Sequence, residues 1–169
     1  MSLTFSIITV TRNNEATIGQ TLESVATQSW SGIEHIVIDG ASTDSTLAEV
    51  GRFAHVRRAI SEPDSGIYDA MNKGLRHATG EVIAFLNADD HYTTPRVLES
   101  VAERFERSGV DAVLGDVEYF RAEAPDRPVR RYDSSRFAPS RLRWGWMPAH
   151  PGFFCLSDVY GRVGPFAMR

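Results

Sequence analysis

The sequence predicts an α/β fold in which helices cover a largely parallel central sheet. Residues 5–10, 35–38 and 82–86 form short apolar and β-branched runs, as expected for strands that are buried on both faces. Segments with apolar residues at helical spacing separate these runs, and this alternation of strands and helices is typical of a parallel sheet. With 169 residues the chain is long enough for one domain with a substantial core, so a single domain over residues 1–169 is expected.

Composition narrows the functional classes. The net charge of −4 argues against a nucleic-acid partner, which would require a broad basic face. The single cysteine, Cys155, excludes an internal disulfide and a site with several thiolates. Residues 1–4 lack the basic start of a signal peptide, and the apolar run at 5–10 is too short to cross a bilayer. We therefore expect a soluble cytoplasmic domain, with attachment to the surface of the inner membrane left open.

The first two strands each lead into a polar segment. Residues 5–10 are predicted as the first central strand and residues 11–14 as the loop that follows it. A helix is predicted over residues 15–28, where apolar residues recur at helical spacing, with an asparagine of the loop as its N-cap. The second strand, residues 35–38, ends at Asp39.

Asp39 stands where α/β folds that bind dinucleotides hold a ribose or a base edge. Gly40 follows it and would let the backbone approach a ligand closely. The alternative is that this segment only caps the short helix that follows, with Ser42 or Asp44 as the capping residue.

The rest of the chain continues the alternation of elements. The remaining predicted elements are a strand at 56–60, a loop at 62–66, a helix at 67–77, a strand at 82–86, a helix ending at 107, strands at 112–114 and 117–120, an exposed loop or irregular hairpin at 122–135, a strand at 153–156 and a helix at 157–163.

The strand at residues 82–86 leads to two adjacent carboxylates, Asp89 and Asp90. Carboxylates that follow a buried strand lie at the edge of the sheet where open α/β folds bind their ligands. Two acids there suit a hard divalent cation that takes further oxygens from a substrate phosphate. The alternative is that they begin a turn or cap the next helix.

Three features are therefore expected at one edge of the sheet: the loop after the first strand, Asp39, and the Asp89–Asp90 pair. Together they describe a site for a base and ribose on one side and a metal-held diphosphate on the other. The sequence contains no G-x-G-x-x-G after the first strand, no Walker A motif, no G-x-S-x-G and no H-E-x-x-H. A nicotinamide or flavin dinucleotide, a P-loop ATPase, a nucleophile-elbow hydrolase and an H-E-x-x-H metalloprotease are thereby disfavoured.

Four ordered motifs resemble the family 2 glycosyltransferases of the GT-A fold. They are S-I-I-T-V-T-R-N at 6–13, I-V-I-D-G-A-S-T-D-S-T at 36–46, S-E-P-D-S-G-I-Y-D-A-M-N-K-G at 61–74 and F-L-N-A-D-D at 85–90. The chain is most similar to bacterial enzymes of the exopolysaccharide or colanic-acid type. The resemblance implies a Rossmann-like α/β/α sandwich and an inverting transferase. It also implies a nucleotide-sugar donor, Mn²⁺ or Mg²⁺ as cofactor, and a saccharide or lipid-linked acceptor.

The resemblance also assigns roles to individual positions. The matching positions are Thr9, Thr11, Arg12 and Asn13 in the loop that touches the nucleotide, Asp39 for the base, usually uracil, Asp64 and Lys73 beside the nucleotide and diphosphate, Asn87, Ala88 and Asp89 in the D-x-D signature, and His150 near the diphosphate.

Within the signature, Asp89 matches the metal ligand. Asp90 matches a neighbouring or acceptor-side group and is a further candidate metal ligand, as is His150. Asn87 departs from the many relatives that have an aspartate there. Its amide can still bond a ribose hydroxyl, but it contributes no charge to the metal. His150 has an equally supported alternative as a histidine packed in a proline-rich loop.

The catalytic base has no match in the sequence. An inverting transfer needs a carboxylate to take the acceptor's proton, and in the resembled family it lies shortly beyond a Gly-x-Phe segment. Here that segment starts at Gly164, so the base is expected beyond Arg169, in a longer chain. Asp116, at the tip of a late strand, is the in-chain candidate, although structural capping is favoured for it. The alternative function is a catalytically incomplete module that binds sugar nucleotides or serves assembly.

The stretch from 122 to 148 contains arginines and tryptophans without a recognisable code. Arg141 and Arg143, with Trp144 and Trp146, would suit a lipid-diphosphate acceptor or a membrane surface. The favoured alternative for the two tryptophans is a lid over the core, with the arginines in solvent.

Overall fold

The computed structural model describes residues 3–121, 123–124 and 127–168. A six-stranded sheet has the order β3-β2-β1-β4-β8-β5, and β6 and β7 form a separate two-stranded hairpin. The strands are β1 (Phe5–Thr11), β2 (Ile33–Asp39), β3 (Val56–Ser61), β4 (Val82–Phe85), β5 (Ala112–Leu114), β6 (Val117–Tyr119), β7 (Arg130–Tyr132) and β8 (Phe153–Leu156).

Five α-helices and three 3₁₀ helices complete the described part of the chain. The α-helices are α1 (Ile18–Ala26), α2 (Thr46–Val50), α3 (Ile67–His77), α4 (Val97–Ser108) and α5 (Ser157–Val163), and the 3₁₀ helices are Ser134–Arg136, Pro139–Trp144 and His150–Gly152. Within the described ranges, no helix combines the length and apolar character that crossing a membrane requires.

The sheet is mainly parallel, as predicted. Strand β1 pairs in parallel with both β2 and β4, and β2 pairs in parallel with β3. Strand β8 runs antiparallel to its neighbours β4 and β5. The chain passes from β1 outwards to β2 and β3, then returns to place β4 on the other side of β1. The carboxyl ends of β1 and β4 therefore flank a topological switch point, where open α/β sheets bind ligands.

Side chains that alternate along the strands fill two separate core layers. Phe5 and Ile7 face α1 and α4, whereas Ile8 and Val10 face α3. Helix α3 approaches the sheet closely at Gly74, where an added Cβ would clash with Cγ2 of Ile8. This packing holds the start of α3 near the carboxyl edge of the sheet, and helices cover both faces, as the predicted sandwich requires.

Candidate active site

A cavity of about 350 Å³ lies at the switch point, beyond the carboxyl ends of β1 and β4. We call it the donor cavity. Its lining is Val10, Thr11, Arg12, Asn14, Asp64, Ile67, Ala70, Asn87, Ala88 and Asp89. Six of the predicted site residues are in this set, so the structure brings the first, third and fourth of the four motifs together around one space.

The loops after β1 and β2 are interlocked beside this cavity. The backbone N–H of Asn13 donates to Ser42 Oγ over 2.8 Å, and Asn13 Oδ1 accepts from the Thr43 N–H over 2.8 Å. Asn13 has a φ of 53°, in the left-handed region that asparagine tolerates. Its side chain is thus committed to the neighbouring loop and shapes the wall of the site.

Asp39 lies at the predicted edge, but its carboxylate is buried. Ser42 donates to it through its backbone N–H over 3.0 Å and through its hydroxyl, and Ser61 Oγ donates over 2.6 Å. Asp64 lies directly over Gly40, where a Cβ would clash with Asp64 Oδ2. The donor cavity is therefore lined by Asp64, while Asp39 forms the layer behind it.

Thr9 lies deeper than the cavity, within the sheet. Its Oγ1 is 2.9 Å from His35 Nε2, and His35 Nδ1 is 3.0 Å from His55 Nε2. Burial, together with the nearby His55, lowers the pKa of His35 to about 3, so His35 is neutral at physiological pH. The structure does not bring Thr9 to the cavity surface.

Lys73 also points away from the donor cavity. Its ammonium group donates to the Pro63 carbonyl over 2.6 Å and lies 2.9 Å from Glu62 Oε1. Only 7% of the residue is exposed. Lys73 therefore anchors the loop that carries Asp64 onto α3.

The residues after β4 form a tight turn in which Asp90 N–H donates to the Asn87 carbonyl over 3.0 Å. Asn87 Nδ2 donates to Asp90 Oδ2 over 3.2 Å, but Asn87 Oδ1 is buried and has no hydrogen-bond partner among the described residues. Asp89 is exposed and Ala88 is buried. Burial, and then the neighbouring Asp89, raises the pKa of Asp90 to about 6.

His150 lies in the 3₁₀ helix that contacts β4. Its ring packs edge-on against Tyr68 and Phe166, at centroid distances of 6.2 and 6.0 Å. Burial lowers its pKa, which favours the neutral imidazole. It lines a separate, largely apolar cavity of about 400 Å³ and not the donor cavity.

The Asp116 carboxylate has a structural role, since it connects the segment after β5 to Arg131 and Ser134. Its carboxylate accepts from Arg131 Nη2 over 2.6 Å and from the backbone N–H and hydroxyl of Ser134, over 2.9 and 2.7 Å. These hydrogen bonds, Arg131 first, lower its pKa to about 2. A carboxylate this acidic accepts a proton poorly near neutral pH.

Few protein side chains are placed to bind a metal ion at the predicted site. The described ranges contain no group of three or more His, Cys, Asp or Glu side chains able to hold a metal ion, so Asp89, Asp90 and His150 do not converge. The exposed Asp89 carboxylate beside an open cavity nevertheless fits a cation that is held by one or two carboxylates and by substrate phosphate oxygens.

The lid prediction for the two tryptophans is wrong for Trp144, which is 82% exposed. Trp146 is half-buried, with its ring 4.9 Å from that of Tyr132 and 5.4 Å from that of Phe137. The predicted pair therefore separates into one packed and one exposed residue.

Sequence reasoning missed several residues that build the site. Asn14, Ile67 and Ala70 line the donor cavity, and Ser42 and Ser61 hold the Asp39 carboxylate. The spacing of Ser42 three residues after Asp39 is typical of a side chain that folds back onto an aspartate, and this signal was present in the sequence. No sequence spacing predicts the role of Ser61, because it lies in β3 and donates to Asp39 in the neighbouring strand β2.

Comparison with known proteins identifies relatives over most of the chain. The model of the family Glycosyl transferase family 2 matches residues 6–160. An uncharacterized glycosyltransferase of Mycobacterium tuberculosis is 40% identical over 111 residues, which cover 63% of this chain and 41% of that protein. A PGL/p-HBAD biosynthesis glycosyltransferase of Mycobacterium bovis is 34% identical over 174 residues, which cover 98% of this chain and 64% of that protein. The chain thus spans only part of the length of these relatives.

Two solved structures that bind nucleotide sugars share this fold. Staphylococcus aureus TarS 1-349, in complex with UDP-GlcNAc, has a TM-score of 0.79 at 22% identity, covering 95% of this chain and 47% of that chain. The mannosyltransferase PcManGT of Pyrobaculum calidifontis, in complex with GDP-Man and Mn²⁺, has a TM-score of 0.75 at 22% identity. The match covers 99% of this chain and 48% of that chain. This likeness confirms the predicted fold class.

Proposed function

The chain belongs to glycosyl transferase family 2, and from this premise we propose that it binds a nucleotide-sugar donor, UDP-linked by preference, in the donor cavity. The sugar is transferred with inversion to a saccharide or lipid-linked acceptor in cell-surface polysaccharide synthesis. We take residues 1–169 as one domain of the enzyme.

The observation that carries the proposal is the donor cavity itself. It lies at the switch point of the sheet, its volume of about 350 Å³ is in the range of small-molecule sites, and an exposed carboxylate, Asp89, lines it. Asn87 also lines the cavity, and its side-chain amide is able to hydrogen-bond to a ribose hydroxyl.

We assign different parts of the nucleotide sugar to different residues of the site. Arg12 and Asn14, after β1, face the diphosphate and ribose, while Asp64, which packs over Gly40, borders the place of the base. Asp39 lies behind Asp64 and would meet the base edge only after the Asp64 side chain moves aside. Thr9 and Lys73 act indirectly, by fixing β1 and the loop that carries Asp64.

A divalent cation, Mn²⁺ or Mg²⁺, would be held by Asp89 and would neutralise charge on the leaving diphosphate. In the transfer, the acceptor oxygen bonds to the anomeric carbon while the bond from that carbon to the diphosphate oxygen breaks. The electron pair of the broken bond stays on the diphosphate. The acceptor's proton passes to a carboxylate, as an inverting transfer requires.

We also propose contact with the membrane surface through the segment 127–146, as suits a lipid-linked acceptor. Six arginines and one aspartate give this segment a charge of +5, although the whole chain carries −4. Trp144 and Leu142, 82% and 42% exposed, lie among these arginines. Exposed aromatic and aliphatic side chains between basic residues are typical of proteins that bind anionic bilayers.

Calorimetric titration of UDP, GDP and dTDP into the chain, with and without Mn²⁺, tests donor binding. We expect one of these nucleotides to bind, at least tenfold more tightly with Mn²⁺, which corresponds to about 1.4 kcal/mol. Asp89→Asn should abolish this gain because it removes the charge that holds the cation. The control is Asp111→Asn, which removes an exposed carboxylate paired with Arg162 over 3.3 Å.

If Asp89→Asn and Asp111→Asn lost the Mn²⁺-dependent gain in affinity equally, or if no nucleotide bound at all, the proposal would be wrong. Transfer of a labelled sugar is measured separately. Nucleotide binding without transfer, in this chain and in a longer gene product alike, would favour the alternative of a non-catalytic binding module.

A further inference from the structure

Two cavities outside the donor cavity border each other near the end of the basic segment 127–146. The first, which we call the cationic cavity, has a volume of about 530 Å³, and its lining is Arg130, Arg131, Tyr132, Asp133, Arg136 and Trp146. The second is the apolar cavity of about 400 Å³, whose wall includes Tyr68, Met147, Pro148, His150, Phe153 and Phe166. Trp146 and Met147 are consecutive residues, so one peptide unit joins the two walls.

Tyr132 holds this junction together. Its hydroxyl donates to the Met147 carbonyl over 3.3 Å, and its ring lies 4.9 Å from that of Trp146. These contacts connect the β6–β7 hairpin, which carries two of the arginines, to the wall of the apolar cavity. The Met147 residue is 66% exposed, so its side chain is open to a ligand that reaches from one cavity to the other.

The arginines of the cationic cavity are not all committed to carboxylates of the protein. Arg131 is paired with Asp116 over 2.6 Å, and Arg136 lies 3.6 Å from Asp133. Within the ranges that the structure describes, Arg130 forms no ion pair, and its guanidinium group lies 5.7 Å from the centre of the tyrosine ring opposite it in β6. The planar fork of a guanidinium group matches the oxygens of a phosphate. The cationic cavity therefore favours a phosphate group.

The wall of the apolar cavity favours a hydrocarbon chain, and it is fixed before any ligand binds. The Phe166 ring packs against Phe85 at 5.3 Å and Tyr68 at 5.7 Å, and its backbone N–H and carbonyl are both hydrogen-bonded to Asn72, over 2.8 and 2.9 Å. Burial lowers the pKa of His150, so its imidazole adds no charge to this wall. Transfer of a chain from water to such a wall is favourable, and a preformed wall lowers the entropic cost of binding.

We propose that the two cavities together bind one amphiphile, a hydrocarbon chain that ends in a phosphate group. The phosphate binds at Arg130, and the chain passes along Met147 into the apolar cavity. The inference goes beyond attraction of the basic segment to an anionic surface, because it requires one chain to enter the protein. It rests on the proposed function in one respect, since contact with a membrane would supply such a chain, and it does not depend on the donor cavity.

Calorimetric titration with three small probes tests whether both parts of the amphiphile are needed. They are decyl phosphate, kept below its micelle concentration, decyl maltoside, which has the same chain and a neutral head, and inorganic phosphate, which has no chain. We expect decyl phosphate to bind at least tenfold more tightly than either of the others. Across hexyl, octyl and decyl phosphate, each added methylene should strengthen binding about threefold.

Variants at exposed positions assign the two parts of the amphiphile to the two cavities. Arg130→Gln should weaken binding of decyl phosphate about tenfold, because it removes a charged donor to the phosphate. Its control is Arg127→Gln, in the same basic segment but outside the cavity wall, which should leave binding unchanged. Met147→Ser should reduce the gain per methylene, whereas Leu47→Ser, at a 39% exposed position in α2, should not.

Two further ligands distinguish the natural sources of such a chain. Farnesyl phosphate carries an isoprenoid chain, and dihexanoyl phosphatidic acid carries the acyl chains of a bilayer phospholipid. The site belongs to the source whose probe binds more tightly, and binding of either one at Arg130 supports the inference.

The inference is wrong if decyl phosphate binds no more tightly than inorganic phosphate or decyl maltoside. It is equally wrong if Arg127→Gln weakens binding as much as Arg130→Gln, since general charge would then account for the affinity. Binding to anionic vesicles without binding of decyl phosphate would refute the inference and leave the membrane contact standing. Failure of the nucleotides to bind would refute the proposed donor site alone.

Discussion

His35 shows at the scale of a residue how a polar group is buried in the middle of this sheet. Its two ring nitrogens lie 2.9 Å from Thr9 Oγ1 and 3.0 Å from His55 Nε2, so the neutral ring is satisfied on both sides. Protonation would place a charge in a dry interior next to His55, whose own pKa is lowered by burial against an opposing effect of Glu23. The arrangement is stable only while His35 stays neutral.

Acid should therefore destabilise the fold through His35. Its pKa is lowered to about 3, against an ordinary value of about 6.5, so between these values the unfolded chain binds the proton and the folded chain does not. Stability is fully present above pH 6.5 and should fall by about 1.4 kcal/mol per pH unit for this residue as the pH drops. The raised pKa of Asp90 acts in the opposite direction between pH 6 and 4, so a comparison of variants is needed.

Urea unfolding of His35→Gln at pH 7.5, 6.5, 5.5 and 4.5 measures this contribution. The dependence of the unfolding free energy on pH should be weaker than in the wild type by that amount. His77→Gln, at the end of α3, is the control and should follow the wild type. A His35→Gln profile parallel to the wild type would contradict the assignment.

At the scale of an element, the contact of α3 with β1 is set by one small residue. Gly74→Ala would drive a methyl group into Ile8, so we expect a loss of about 1–3 kcal/mol of unfolding free energy in urea denaturation. Gly161→Ala in α5, where an added Cβ meets nothing within 4 Å, should be neutral or stabilising by up to about 1 kcal/mol. Equal effects in the two variants would show that the approach of α3 does not depend on Gly74.

The elements were largely predictable because each is encoded locally. The predicted strand at 56–60 and helix at 67–77 agree with β3 and α3 to within one residue. Helix α1 begins later than predicted, since the Asn14 carbonyl accepts from the N–H of Thr17 and Ile18 in a preceding turn. The insertion of β8 between β4 and β5 was not predicted, because it joins residues about seventy apart, such as Ala84 and Phe154.

The site was predictable in its location but not in its side-chain directions. Asp39 ends β2 and Asp89 follows β4 within one turn, and both positions are visible in the sequence pattern. The burial of Asp39 depends on Ser61 in β3, and the turn of Lys73 away from the cavity depends on the Pro63 carbonyl. Such partners are chosen by tertiary packing, which periodicity does not report.

At the scale of the whole molecule, charge is divided unevenly. The segment 127–146 carries +5, so the remainder of the chain carries −9. A strong basic region on an acidic protein orients it at an anionic surface, with the acidic remainder turned away. The exposed Trp144 lies within the basic region and reports on insertion through its fluorescence.

Co-sedimentation with vesicles tests this orientation. Binding to vesicles that contain phosphatidylglycerol should exceed binding to phosphatidylcholine vesicles and weaken with salt, as the Debye length shrinks from about 10 Å at 0.1 M to about 3 Å at 1 M. Arg141→Ser and Arg143→Ser should each reduce binding roughly fivefold. Arg104→Ser on α4 is the control, and an equal loss there, or equal binding to neutral vesicles, would refute the membrane contact.

The position of Asp64 against Gly40 has a consequence for any planar ring that enters the donor cavity. In the free protein, the Asp64 carboxylate occupies the space directly over the Gly40 backbone. Under the proposed function, a nucleobase that stacked on Gly40 would first have to displace that carboxylate into solvent. Measured affinity is then a difference between an incoming and an outgoing contact, and shortening the Asp64 side chain would change it without touching a single atom of the ligand.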